Sequence, residues 1–206
     1  MTRLLAYLVL YVVQAALILL LVDAQWVEKE LLRERTWTTE QWGETSAQHI
    51  QRQAAARYEA AVVASGAVAW SYSALIPDPR VSQQGMEVLA PQLFVWLRHR
   101  IDALWWLVYQ ALYRLQLIRA WLPYIGSVAF AAMVEGLVQR AVKRANVVSA
   151  SGDRYAIAQG GLLILLIAPL LYLSAPLAVT PLCIPVWGGL VAVCVGLLSA
   201  NLQQEV

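Results

Sequence analysis

Hydrophobic residues along this chain come in long blocks rather than in strict alternation. The longest block runs from Tyr155 to Gln204, fifty residues without an Asp, Glu, Lys or Arg. A bilayer core about 30 Å thick is crossed by roughly 20 helical residues, so the block holds two crossings. They fall at about Ala158–Leu177 and Leu182–Ala200, divided by Pro176, Pro181 and Pro185, which end helices and mark a turn. The pair predicts a transmembrane helical hairpin over residues 158–200.

Two further blocks precede it. Leu4–Val22 is apolar except for Gln14. It is longer than the apolar core of a secretory signal, and Asp23 sits poorly in a cleavage site, so residues 1–22 are expected to form a retained anchor. Trp121–Val138 lies between Arg119 and the cluster Arg140, Lys143 and Arg144, and its sole charge, Glu135, is near one end. That places a crossing at 121–139, with Glu135 close enough to the interface to escape the full penalty of a central charge. The expected fold is all-α: an integral membrane protein with four transmembrane helices and a helical extracytoplasmic region, residues 23–120, between the first and second.

Orientation follows from the positive charge on short loops. Residues 140–157 carry Arg140, Lys143, Arg144 and Arg154 against Asp153, which assigns this connector to the cytoplasm. Counting crossings then puts both termini, including the tail 201–206, on the same side. Arg98, Arg100, Arg114 and Arg119 fall outside, in a loop too long for the charge rule to govern.

Within 23–120 the pattern changes twice. Trp26, Trp37 and Trp42 are interleaved with charges of both signs, and Thr38 with Gln41 has the spacing of a capping box, predicting a helix start there. Residues 46–76 are helical and rich in Ala, Ser and Gly, too weakly apolar over Ala60–Ile76 for a fifth crossing. A helix follows from about Glu87 to Arg119. Leu104, Val108, Ala111, Leu115 and Ile118 share one face, and Asp102, Tyr109, Gln110, Tyr113 and Gln116 the other. Such a helix lies on the membrane surface or covers the loop region, and Arg114 argues against its crossing the bilayer. Trp26, Trp105, Trp106 and Trp121 are candidate interfacial anchors.

Composition narrows the function more by exclusion. With 60% hydrophobic and 14% charged residues the chain is not an ordinary soluble domain, and a net charge of +2 lacks the basic stripe of a nucleic-acid binder, so no direct contact with DNA is expected. Cys183 and Cys194, if helical, lie about 16 Å apart along the axis, beyond disulfide reach. His49 and His99 have no partner at metal-ligand spacing, and neither a nucleophile elbow nor a phosphate-binding glycine loop is present. No metal, cofactor or catalytic residue is expected, and the chain does not read as an enzyme. Gly188, Ala192, Gly196 and Ala200 recur every four residues, a stripe for close helix packing against the third crossing or against another protein. Glu135 with Gln14 offers the alternative of a small transporter or channel.

The stretch Pro123–Tyr155 carries a resemblance. A Pro-initiated apolar helix leads to Val134-Glu135-Gly136-Leu137-Val138-Gln139-Arg140, then Lys143-Arg144, then Ser149 to Tyr155 ahead of the hairpin. This resembles the membrane-protein family of bacterial integrating conjugative elements, with Glu135 where that family carries Asp. The resemblance implies a non-enzymatic inner-membrane component of a conjugative, type IV secretion-like apparatus, working beside a coupling ATPase and other membrane subunits. It makes Glu135, Gly136, Arg140, Lys143, Arg144 and Tyr155 a structural or docking motif at the cytoplasmic edge.

Overall fold

The computed structural model describes Gln14 and residues 21–76, 91–146 and 152–202. Every regular element among them is helical. The first expected crossing, Leu4–Val22, lies outside the described residues apart from Gln14, Leu21 and Val22. Three helices, rather than four, are therefore seen to be long and apolar enough to cross a membrane.

Helix α1 (Ala24–Trp42) begins after Asp23, whose backbone is extended, and stops at Gly43. Gly43 has φ 75°, a left-handed value that glycine adopts without a Cβ penalty, and its N–H closes the helix onto Thr39 O. The helix start expected at Thr38 is not found. Thr38 sits inside α1, and its hydroxyl donates to Glu34 O at 2.8 Å, a bond that helical threonines make without capping anything. Helix α2 (Glu44–Tyr58) follows and widens into a π-helical turn, Glu59–Val63, where Ala64 N–H reaches Glu59 O. Gly66 at φ 74° then redirects the chain into α3 (Ala67–Leu75), nine residues and far short of a bilayer.

The helix expected from Glu87 and the crossing expected at 121–139 prove to be one element, α4 (Pro91–Ala145). At 1.5 Å per residue its 55 residues extend about 80 Å, more than twice a bilayer core. Pro123 lies within it, and loss of one backbone hydrogen bond does not end a helix held by its neighbours. Helices α5 (Gly152–Ser174) and α6 (Cys183–Asn201) complete the chain, joined by residues 175–182. Neither cysteine forms a disulfide.

Two compact units divide these elements. One contains α1 to α3, α4 as far as Gln116, and residues 173–179. Here α1 and α4 run in the same direction, since Arg100 donates to Val22 O at 2.6 Å while Arg114 meets Glu34 twelve to fourteen residues further on. The second unit holds the rest of α4, residues 152–172 and α6. Only 6% of the most apolar stretch of α5 is buried, so Leu163, Ile164, Leu166 and Leu170 all point outward. Such aliphatic exposure is costly in water and natural in lipid.

Candidate functional site

In the first unit the polar face of α4 is turned inward. Gln110, Tyr113, Arg114 and Gln116 are buried, whereas Leu104, Val108, Ala111, Leu115 and Ile118 are half-exposed. Opposite them α1 presents Glu30, Glu34 and Thr38, one residue per turn and therefore on one face. Glu34 and Arg114 each have 0% exposure and form a bidentate pair: Arg114 Nε lies 3.0 and 3.1 Å from the two carboxylate oxygens, and Nη2 3.0 Å from Oε2. Gln110 Nε2 donates to the same carboxylate at 3.4 Å, and Tyr113 OH donates to Thr38 Oγ1 at 2.8 Å.

The pair also holds a loop. Arg114 Nη1 donates to Ala175 O and Nη2 to Leu177 O, both at 2.5 Å. Glu30 Oε2 accepts the N–H of Ala178 at 3.1 Å, and its other oxygen accepts Arg33 Nη1 at 2.6 Å. Residues 175–178 belong to no helix, so their backbone groups need partners from elsewhere. The planar guanidinium fork can serve a carboxylate and two carbonyls at once; an ammonium cannot reproduce that geometry. Glu34 is held between a guanidinium and an amide. Gln116 has neither amide atom paired, and Gln110 Oε1 is also unpaired, so this layer is polar beyond what its own bonds satisfy.

On another side of the same unit an open cleft of about 690 Å³ is walled by Tyr58, Tyr72, Trp105, Trp106 and Tyr109. Trp105 Nε1 donates to Ser71 Oγ at 3.1 Å, and Tyr58 and Trp106 both meet Tyr109 edge-on. Tyr72 OH donates to Asp102 Oδ1. Burial, then that hydrogen bond, push the Tyr72 hydroxyl up to about 12. Because the folded value lies above the free one near 10, the stabilisation is complete below pH 10 and is lost as pH rises towards 12. Difference titration at 295 nm between the wild type and Tyr72→Phe is expected to show the missing tyrosinate appearing near pH 12; a midpoint near 10 refutes the bond to Asp102.

The sequence motif near the end of α4 is not gathered into one site. Gly136 is buried against α6, and Lys143 Nζ donates to Ala200 O at 3.3 Å and Asn201 Oδ1 at 2.9 Å, tying down the last turn of α6. Glu135 is exposed and accepts Gln139 Nε2 one turn on, at 3.1 Å. Arg144 is exposed, and Arg140 and Tyr155 are half-buried. The small-residue stripe faces α4 instead of the helix preceding α6: Gly188 meets Ile125, Gly196 meets Ala132, and Ser199 with Ala200 meets Gly136; Ala192 is buried alongside. Gly161 of α5 approaches Cys194, and Trp187 Nε1 donates to Leu165 O at 2.8 Å. Trp26 is partly exposed at the start of α1, and Trp121 stacks edge-on with Tyr124. Gln14 is helical and half-buried, with its neighbours outside the described residues.

A family model described as IncC plasmid conjugative DNA transfer protein DtrJ-like matches residues 21–204. The chain belongs to the DtrJ-like family. The match spans helices α1 to α6 and supports the conjugative side of the resemblance at Pro123–Tyr155. Neither the comparison with curated proteins nor that with solved structures gives a match. Among the described residues no three His, Cys, Asp or Glu side chains come together as a metal site. What the sequence reading passed over in this DtrJ-like chain is the Glu34–Arg114 layer. Its signal was the 30, 34, 38 spacing on α1 set against 110, 113, 114 on α4.

Proposed function

We propose that this DtrJ-like chain is a non-enzymatic adaptor in the inner membrane, joining other membrane subunits of a conjugative, type IV secretion-like apparatus to its coupling ATPase. The connector 140–157 and the tail 201–206 face the cytoplasm, and the unit built from α1 to α3 with the start of α4 stands on the opposite side for envelope partners. An amino terminus in the cytoplasm follows from a crossing at 4–22.

The observation that carries the reading is the match to a conjugative DNA transfer family over nearly the whole chain. Two structural features support it. The apolar helices are closed on one another by glycine contacts, a use of sequence suited to a fixed framework, and Arg144 and Arg154 of the basic connector are exposed. Glu135, the acid on which a transport reading rests, is occupied by Gln139 at the surface.

The test uses mating. Arg140→Gln with Arg144→Gln, in a chain whose orientation is checked by cysteine labelling, is expected to lower transconjugant frequency at least tenfold and to abolish co-purification with the coupling ATPase. Glu135→Gln is expected to leave both intact. Normal mating by the double variant, or loss of mating only with Glu135→Gln, overturns the adaptor reading.

A further inference from the structure

The aromatic cleft of the first unit has chemistry that the adaptor reading does not use. Tyr58, Tyr72, Trp105 and Trp106 offer aromatic surface beside Tyr109, and its charged lining is Glu28, Arg35 and Asp102. The guanidinium is already engaged: Arg35 Nη2 donates to Tyr109 OH at 2.8 Å, and its carbon lies 5.4 Å from that ring's centre. The carboxylates have capacity left. Asp102 accepts only from Tyr72, through Oδ1, and Glu28 makes no hydrogen bond or ion pair among the described residues. Trp105 and Tyr72 are fixed by their bonds to Ser71 and Asp102, so their faces are held before anything binds. The π-helical turn begins immediately after Tyr58, an irregularity that in helices commonly accompanies a functional position.

Rigid aromatic walls with spare carboxylate oxygens match one ligand chemistry. A positive charge without strong hydration is drawn to the ring faces, and the acids complete its neutralisation. A volume of about 690 Å³ lies in the range of small-molecule sites. We propose that this cleft binds an organic ammonium group, as in a free amine such as choline or the headgroup of an aminophospholipid.

Saturation-transfer NMR on the full chain, in nanodiscs of phosphatidylglycerol at pH 8, tests this with choline, ethanolamine and 3,3-dimethylbutan-1-ol, the uncharged match to choline in shape. Choline and ethanolamine are expected to bind saturably and the neutral compound at least tenfold more weakly, a comparison that needs no variant. Glu28→Gln with Asp102→Asn, which retains an acceptor for Tyr72, is expected to weaken choline at least tenfold with circular dichroism unchanged. Equal binding of the neutral compound, or a folded double variant that binds choline normally, overturns the proposal. Replacing half the lipid by phosphatidylethanolamine separates the sources: competition with choline identifies the headgroup, and an unchanged titration identifies a free ammonium compound.

Discussion

Arg114→Met is expected to destabilise the chain by about 3–5 kcal/mol, the range for removing one partner of a buried pair. For a chain of this size that is a fall of roughly 10 °C in Tm. The cause is the charge left behind. Glu34 is fully buried, and without the guanidinium it loses three charge-assisted hydrogen bonds, while Ala175 O and Leu177 O lose the donors that Arg114 supplies. Lysine at 114 is expected to recover little, because a point charge cannot span two carboxylate oxygens and two carbonyls.

The double variant Glu34→Leu with Arg114→Met separates the two roles of the arginine. Replacing a buried ion pair by apolar residues of similar volume is often close to neutral. If the pair were all that Arg114 supplies, stability would return to the wild-type value. Because it also holds residues 175–177, part of the loss is expected to persist, by about 0.5–1.5 kcal/mol for part-buried carbonyls that lose their donors. A cysteine at Val179, in a background with Cys183 and Cys194 changed to alanine, gives an independent readout. Its maleimide labelling should accelerate in both variants. Wild-type melting of Arg114→Met, or unchanged labelling, would show that the loop is held by something else.

That arginine illustrates how far the sequence could be read. The apolar helices were legible because lipid imposes a simple rule of length and composition, and the 155–204 block satisfies it without a charge. The inward polar face of α4 was not. The pattern offered the face of Leu104, Val108 and Leu115 either to the membrane surface or to the loop region, and neither choice says that Tyr113 and Arg114 are covered, which they are because α1 supplies their partners. The pairing joins residues some eighty positions apart, which no local pattern encodes. Charges on α1 such as Glu34 resemble solvated ones until the opposing face is known. The motif around Glu135 was visible as a pattern, but its members diverge because adjacent helical residues point some 100° apart.

Gly136→Ala is expected to cost more than any other single methyl added to the three long helices. A Cβ there would overlap Gly196 O and stand 2.7 Å from Ser199 Cβ and 3.1 Å from Ala200 N. These are backbone atoms and a branch-point carbon, so no side-chain rotation relieves them, and α4 and α6 must separate. Overpacking of this kind typically costs 1–3 kcal/mol, and leucine at 136 is expected to exceed it. Two controls make the number interpretable. Gly126, on the same helix, has nothing within 4 Å of its Cβ position, so Gly126→Ala should stabilise by about 0.5–1 kcal/mol through helix propensity alone. Gly188→Ala should fall between, because its neighbour is the Ile125 side chain, whose tip can shift. The order Gly126, Gly188, Gly136 in Tm is thus fixed by what each methyl would meet. Separation of α4 from α6 would also pull Lys143 from Ala200 O and Asn201, so Gly136→Ala and Lys143→Met should be less than additive. Additive losses would mean that the two contacts respond independently and that α6 is not seated as one rigid piece.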